Sequence, residues 1–336
     1  MKDNDKTIFK YFEKNNNDML SNLTGDDLDN FFRYLKLYYL ELRKVINLEQ
    51  DDTFGLEIEY ENSNNNIIED NIKYNWFVKH DSSLFNGGEA TSTTLFDSEK
   101  NWQDLNDVCT LISENSKPGV SAGGHIHIGT QALGNKYESW VSFIKLWSVY
   151  ENVLFRYAYN DYLTERPRQL KYAAPIANEL WLTSKCTSKD KCVSKEDHFK
   201  YYRLLDDLPQ LRDQAVNFLN VKDVYQTLDR NTLEFRCPNG TLNPIIWQNN
   251  VNVFSKLLNS CKHDKIDLEY IMYRQEKIKN IKNSLIAYRK IYIKQALELS
   301  DMIFDNNLDK IYFLRQYFKD FEVGNEPLIL AKKFTM

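Results

Sequence analysis

Residues 123–129 read GGHIHIG and carry two of the five histidines of the chain, His125 and His127. The isoleucines are β-branched and glycines bound the run on both sides, so this short stretch is typical of a β-strand. Because side chains alternate along a strand, both imidazoles would lie on one face and both isoleucines on the other. One face suits a hydrophobic core, and the other suits a ligand.

The same alternation recurs in FGLEIEY (54–60), in LEFR (233–236) and in GGEATSTTL (87–95). In the first two stretches large apolar side chains alternate with charged ones, and in the third Glu89 follows two glycines. The charged side chains of these stretches are Glu57, Glu59, Glu89, Glu234 and Arg236. If the four strands share one sheet, these groups and the histidines collect on a single polar face.

Composition limits the classes of function. The chain has 336 residues, of which 42% are hydrophobic and 14% aromatic, enough for a large core. A net charge of −5 with mixed signs argues against a nucleic-acid partner. No apolar run is long enough to span a membrane, and the first 18 residues do not resemble a signal peptide.

The five cysteines are scattered and form no CxxC pattern, which is typical of free thiols in a reducing compartment. Cys186 and Cys192 share a Lys/Ser-rich stretch with His198, but a zinc site would need a fourth ligand there. The sequence therefore predicts a cytoplasmic protein with neither a nucleic-acid nor a membrane partner. It leaves a homo-oligomer open.

The pattern along the chain predicts an α+β fold in three parts. Residues 1–50 are predicted to be a helical segment, 51–260 a catalytic core, and 261–336 a helical extension packed on that core. Strands are predicted within 51–130 and 224–236, and helices near 101–115, 136–165, 197–219, 245–260 and beyond 268, with Pro209 as a candidate break in the third of these helices. An antiparallel sheet is favoured, and no GxGxxG or P-loop pattern indicates a nucleotide site of those types.

Each polar group has an ordinary alternative taken alone. Glu57 and Glu59 could be the solvated face of an edge strand, and the two histidines could be structural or exposed. Glu234 and Arg236 could form a surface ion pair worth less than about 1 kcal/mol. Together on one face, carboxylates about 4 Å apart would repel by several kcal/mol without cations. Oxygen ligands with one or two imidazoles favour Mg²⁺ or Mn²⁺ over zinc.

An arginine beside a metal-binding glutamate can neutralise charge on a phosphoryl group during its transfer. In LEFR, Glu234 and Arg236 are two residues apart, so they would lie side by side on one face of a strand. The residues alone therefore predict a divalent-metal, nucleotide-using phosphoryl-transfer site on an antiparallel sheet.

An ordered set of motifs covers roughly residues 53–260. The stretches are FGLEIE, KHDSSLFNGGEATS (79–92), GGHIHIG, KYYRLLD (200–206) and LEFRCPNGTLN (233–243). They resemble FGxExE, KxDxSL with GxExxS, GGHxHxG, RYxxLN and EFRxxxGTLN of the amidoligase family of bacteria and fungi. That family is similar to the glutamine synthetase-like carboxylate–amine ligases, which include glutamate–cysteine ligase.

The resemblance implies a glutamine synthetase-like curved antiparallel sheet whose concave face binds ATP and Mg²⁺ (or Mn²⁺). It implies that ATP phosphorylates a carboxylate and that an amine attacks the acyl phosphate to form an amide, such as a γ-glutamyl or isopeptide bond. The acid could be a small molecule or a protein. Two departures, Ala173 for a more usual cysteine and Asp206 for asparagine, concern the substrate more than the metal site.

The resemblance also implies roles for single residues. One metal would be held by Glu57, His125 and Glu234, and the other by Glu59 and Glu89. Arg236 would steady the transferred phosphoryl group, and His127 would lie near the phosphates. Lys79, with Asp81, would lie at the edge of the site. Candidates for binding phosphate or a substrate carboxylate are Arg166, Arg168, Arg203 and Arg230.

Three other functions remain open from the residues. A phosphotransferase of the guanidino-kinase type would use the same kind of sheet without forming an amide. A metal-dependent hydrolase would use the glutamates and histidines without ATP. A non-catalytic module would bind a partner through the C-terminal helices.

Overall fold

The computed structural model describes residues 19–116, 121–158, 172–189, 204–221, 231–278 and 292–318. In these ranges helices pack on a six-stranded antiparallel sheet, so the α+β class is confirmed. The predicted phosphate- or carboxylate-binding residues Arg166, Arg168, Arg203 and Arg230 lie outside the described residues, as do Cys192 and His198. None of the helices in the described ranges has both the length and the apolar composition needed to cross a bilayer.

The strands are β1 (Phe54–Tyr60), β2 (Trp76–Lys79), β3 (Gly88–Ser92), β4 (Gly124–Gly129), β5 (Val216–Asn217) and β6 (Thr232–Phe235). Their order across the sheet is β2-β3-β1-β4-β6-β5. The helices are α1 (Gly25–Lys36), α2 (Asn65–Asn71), α3 (Glu99–Asn115), α4 (Tyr137–Ala158), α5 (Ala177–Lys189), α6 (Pro244–Lys262), α7 (Leu268–Ile278), α8 (Tyr292–Ile303) and α9 (Asn307–Tyr317). The four stretches with alternating side chains are all strands.

The apolar face of the sheet packs against helices. Phe235 of β6 stacks on Phe254 of α6 with ring centroids 4.2 Å apart, and it also meets Trp147 of α4. Phe54 of β1 stacks on Trp102 of α3 at 4.8 Å. Burying one face of every long strand fixes which face remains for the polar side chains.

Gly124 allows helix α6 to approach β4 closely. A Cβ atom at this position would lie 2.3 Å from Cη2 of Trp247, whose indole nitrogen donates a hydrogen bond to the carbonyl oxygen of Thr241. Trp247 is fully buried. Packing on the face opposite the histidines therefore requires a glycine at position 124.

The N-terminal part contains less helix than the sequence predicts. Helix α1 ends at Lys36, and residues 38–53 form neither helix nor strand. Arg43 anchors this segment, because its side chain forms a 2.6 Å ion pair with Asp309 of α9 and its amide donates to Gln248 of α6. These long-range contacts replace the helical hydrogen bonds that local spacing predicts.

The predicted helix over 197–219 is wrong at its C-terminal end. Residues 216–217 form β5, and Ala215 donates a backbone hydrogen bond to the carbonyl oxygen of Ala174. The amide of Arg236 in turn donates to the carbonyl oxygen of Ala215. Pairing with two distant segments therefore overrides helical spacing here.

The C-terminal helices share the core of the sheet. Phe313 of α9 stacks on Tyr157 of α4 with centroids 5.0 Å apart, and Asn249 of α6 donates to the carbonyl oxygen of Tyr312. Helix α8 also contacts α4 and α6. The described residues from 19 to 318 thus surround one continuous cluster of buried side chains.

We expect Gly124→Ala to lower the free energy of unfolding by about 2 kcal/mol, because the added methyl group overpacks against Trp247. Gly55→Ala is the matched control on the neighbouring strand, since its Cβ would meet only ordinary contacts, the shortest 3.6 Å to His127. Urea unfolding of both variants measures the difference. Equal stability of the two variants would contradict the packing role of Gly124.

Candidate active site

The polar face of the sheet gathers the side chains that the sequence singles out. Across the ladder, Glu57 of β1 is opposite His125 of β4, and Glu59 is opposite Glu89 of β3. His127 is opposite Glu234 of β6. The antiparallel register alone therefore collects groups from four strands.

These side chains are not a solvated face. Glu59, His125, Glu234 and Arg236 are each no more than 6% exposed, and the side chain of Glu57 is 18% exposed. An ordinary surface ion pair or an exposed His-x-His strand does not have this burial. The burial therefore excludes a solvated strand face and a surface ion pair for these residues.

His125 lies at the centre of the cluster. Its Nδ1 atom is 2.8 Å from Oε2 of Glu57 and 3.7 Å from Oε1 of Glu234. Its Nε2 atom is 3.6 Å from Oε1 of Glu59. One imidazole therefore contacts three carboxylates from two strands on either side of β4.

Two overlapping groups of ligand atoms result. In the first, atoms of Glu57, His125 and Glu234 lie within 4.8 Å of one another. In the second, atoms of Glu59, Glu89 and His125 meet the same limit. These are the groupings that the family resemblance implies, except that the imidazole can serve either one.

The charged forms of these groups stabilise one another. Burial opposes ionisation of Glu57, but its hydrogen bond to His125 and the charges of His125 and His127 hold its pKa well below the usual range. Burial also opposes ionisation of Glu234, whose pKa the charges of His125 and Arg236 lower. For His125, burial and Arg236 lower the pKa, while the hydrogen bond to Glu57 and the other carboxylates raise it overall.

Arg236 is held by the chain on several sides. Its Nε donates to the carbonyl oxygen of Tyr172 at 3.1 Å, and Nη1 donates a short hydrogen bond to Oε1 of Glu234. Nη1 also lies 3.5 Å from Nδ1 of His125. The guanidinium is therefore buried beside the carboxylates and fixed in orientation.

Two other predicted residues lie at the edges of the cluster. Nε2 of His127 is 3.3 Å from Oε1 of Glu57 without hydrogen-bond geometry, and Nδ1 is 3.3 Å from the hydroxyl of Thr232. Nζ of Lys79 is 3.4 Å from Oε1 of Glu89, and its side chain is half-exposed. Among the described residues, His127 joins neither of the two groups of mutually close ligand atoms.

Neutral donors hold one oxygen of three carboxylates. The amide of Gly123 donates a short bond to Glu59, the hydroxyl of Thr91 donates to Glu89 at 2.6 Å, and the side-chain amide of Asn217 donates to Glu234 at 2.6 Å. Sequence reasoning missed these donors. Thr91 shares a face with Glu89 two residues away, so strand alternation could have found it, whereas Asn217 fell within a predicted helix.

A cavity lies on each side of the cluster. The larger, about 530 Å³, adjoins Glu57, His127, Lys79 and Phe77. Most of its other lining is hydroxyl or amide: Thr53, Thr91, Ser92, Thr93, Thr94, Gln131, Asn220, Asn231 and Thr232. The smaller, about 250 Å³, is lined by Glu59, Asp81, Ser83, Glu89, Ser121, His125, Tyr172, Arg212, Asp213 and Arg236.

The donor set fits a hard divalent cation. Carboxylate oxygens dominate both groups, and the imidazole adds a single nitrogen to either, which is the ligand chemistry of Mg²⁺ or Mn²⁺ rather than of zinc. His127 adds a buried Nε2 atom that lacks a hydrogen-bond partner among the described residues. The face can therefore hold metal ions and, next to them, anionic groups.

Comparisons with known proteins add little to this geometry. No family model and no curated protein matches the chain. Among solved structures, the chain is similar to a bifunctional glutathione synthetase from Pasteurella multocida, at 14% identity and a TM-score of 0.41. The match covers 86% of this chain but 47% of that one, so the chain spans about half its length. A similarity of this size carries no argument about function, and the amidoligase resemblance stays a prediction.

We expect the protein to bind two Mn²⁺ ions, and Glu57→Gln or Glu234→Gln to weaken this binding by more than about 100-fold. Loss of a direct charged ligand should exceed the 10- to 100-fold effect usual for groups that only orient ligands. Electron paramagnetic resonance of free Mn²⁺ during a titration measures the affinity.

Glu61→Gln is the matched control for this experiment. Glu61 is as buried as Glu234 and directly follows β1, but it accepts a hydrogen bond from the amide of Phe85 and joins neither ligand group. Its Mn²⁺ affinity should equal that of the wild type. A similar loss in all three variants would indicate a general effect of charge and would contradict the assignment of specific ligands.

Proposed function

We propose that the chain is an ATP- and Mg²⁺-dependent carboxylate–amine ligase that forms an amide bond through an acyl phosphate. The observation that carries the proposal is a buried Arg236 fixed against two overlapping carboxylate–imidazole groups, with a cavity on each side. Phosphoryl transfer depends on positioning and on charge stabilisation, and this face offers both.

In this proposal Glu57, His125 and Glu234 hold one Mg²⁺, and Glu59 and Glu89 hold the other. When bound, the ions supply charge neutralisation for the phosphate oxygens. The chain itself fixes the ligands, because each glutamate comes from a strand whose opposite face is buried in the core. Rigid strands hold a site in position better than loops do.

Arg236 is assigned to stabilising the phosphoryl group during its transfer. Its guanidinium lines the smaller cavity and contacts the Glu234 carboxylate and the His125 ring. Charge that develops on the phosphoryl oxygens between the two cavities would therefore meet a preorganised cation. His127, which lines the larger cavity, is assigned to the phosphates on that side.

The two cavities differ in a way that suits two kinds of substrate. The larger has mainly neutral hydrogen-bonding groups and a partly exposed Phe77, which suits a nucleoside with its base against an aromatic ring. The smaller adjoins Arg212 and Arg236, which suit a carboxylate, and Asp81 and Asp213, which suit an ammonium group. The acid and the amine are therefore assigned to the smaller cavity.

A phosphotransferase of the guanidino-kinase type is the second candidate. The four carboxylates that line the smaller cavity would also accept a guanidinium group. Such an enzyme would release a stable phosphorylated product and no amide. Nucleotide binding separates both candidates from an ATP-independent hydrolase and from a non-catalytic binding module.

We expect a non-hydrolysable ATP analogue to bind the wild type only with Mg²⁺ and to lose this binding in Glu57→Gln. Isothermal titration calorimetry, with and without Mg²⁺, measures it without knowledge of the acid or the amine. A wild type that binds no nucleotide with any divalent metal would overturn both the ligase and the phosphotransferase functions.

Nucleotide binding would then justify a screen of acid and amine pairs for ADP release. ADP release that requires both compounds and yields an amide supports the ligase. ADP release with a single guanidino compound, and a phosphorylated product, supports the phosphotransferase instead.

We expect Arg236→Lys to lower the rate of ADP release by about 100-fold or more while leaving the affinity for the ATP analogue nearly unchanged. Lysine keeps the charge but lacks the planar fork with which Arg236 contacts Tyr172 and Glu234 together. Arg33→Lys, at an exposed position of α1, is the control and should retain the full rate. An unchanged rate in Arg236→Lys would remove this residue from phosphoryl transfer.

A further inference from the structure

The edge strand β5 contributes one side chain to the centre of the site. Asn217 is opposite Glu234 in the β5–β6 ladder and is 3% exposed. Its Nδ2 atom donates a 2.6 Å hydrogen bond to Oε2 of Glu234. In the described ranges β5 has two residues, and the other, Val216, is opposite Phe235.

The chain fixes which way the Asn217 amide faces. Its Oδ1 atom accepts a 2.9 Å hydrogen bond from the backbone amide of Leu219, two residues later. This is the turn that asparagine side chains form with their own backbone. With the oxygen bound on this side, only the NH₂ group can face Glu234, so the donor at the carboxylate is fixed.

Glu234 is therefore oriented from two directions. Asn217 binds Oε2, and Arg236 binds Oε1, the atom that lies 3.7 Å from Nδ1 of His125. Asn217 is neutral, so it orients the carboxylate without cancelling the charge that a cation needs. Gly123 and Thr91 contact Glu59 and Glu89 with neutral donors in the same way.

We infer that Asn217 is a positioning residue, which holds the Glu234 carboxylate in the orientation that binds a divalent cation. The inference rests on the metal site of the proposed function. The turn at Leu219 uses only the oxygen of the Asn217 amide. The contact of its NH₂ group with Glu234 is therefore a separate role of this side chain. Groups that orient metal ligands commonly contribute 10- to 100-fold to affinity.

Asn217→Ser separates the two roles of the side chain. A serine hydroxyl can still accept the hydrogen bond from Leu219 and keep the turn, but it is too short to reach Glu234. We expect Asn217→Ser to weaken Mn²⁺ binding by roughly 10- to 100-fold in the paramagnetic resonance titration. Its melting temperature in EDTA should stay within a few degrees of the wild type.

Asn249→Ser is the matched control. Asn249 is also a buried amide and donates to Tyr312 and to Gln316, but it lies in the packing of α6 on α9. This variant should melt at a lower temperature and bind Mn²⁺ as the wild type does. If Asn217→Ser does not fold, Asn217→Thr carries the same expectation, because threonine keeps the hydroxyl and suits a strand.

The outcomes distinguish the inference from the function on which it rests. Wild-type affinity in Asn217→Ser, together with lost binding in Glu234→Gln, overturns the positioning role and leaves the metal site intact. A wild type that binds no Mn²⁺ overturns the metal site and the positioning role together. A loss in Asn217→Ser that Asn249→Ser does not share supports the inference.

Discussion

The pairing of β1 with β4 is the constraint on which the rest of the site depends. It sets Glu57 opposite His125 and Leu56 opposite Ile126, so one register fixes the polar face and the apolar face together. A slip by one residue would turn the glutamates into the core and the apolar residues into the site. The burial of Leu56 and Ile126 therefore fixes the positions of Glu57 and His125 on the opposite face of the sheet.

Burial makes the negative charges of this cluster unfavourable unless positive charge compensates them. Carboxylates removed from water need compensating charge, and the chain supplies part of it through His125 and Arg236, which lower the pKa of Glu234. Glu57 also contacts His125, at 2.8 Å, and His127, at 3.3 Å. The same burial that raises the demand for cations also strengthens their effect on a bound phosphoryl group, because the local dielectric is lower than that of water.

Much of the fold and of the candidate site could be predicted because both depend on strand alternation, which is local. The polar faces of β1, β3, β4 and β6 followed from residues two apart. The contribution of Asn217 could not be predicted, since its strand exists only through pairing with β6 and through the bond from Ala215 to Ala174. The helix predicted around Arg43 is absent for the same reason. The partner of Arg43, Asp309, lies 266 residues away in the sequence.

The core and the site are coupled through β4. Gly124 admits Trp247 against the strand on one side, and the next residue, His125, carries the imidazole on which both ligand groups converge. A displacement of β4 that relieves crowding at Trp247 would also move His125 relative to Glu57, across a 2.8 Å contact. Misplacement of reacting groups by about 1 Å can reduce rates by 100-fold. Selection for a close fit of α6 on the sheet and selection for the site would therefore act on the same adjacent pair of residues.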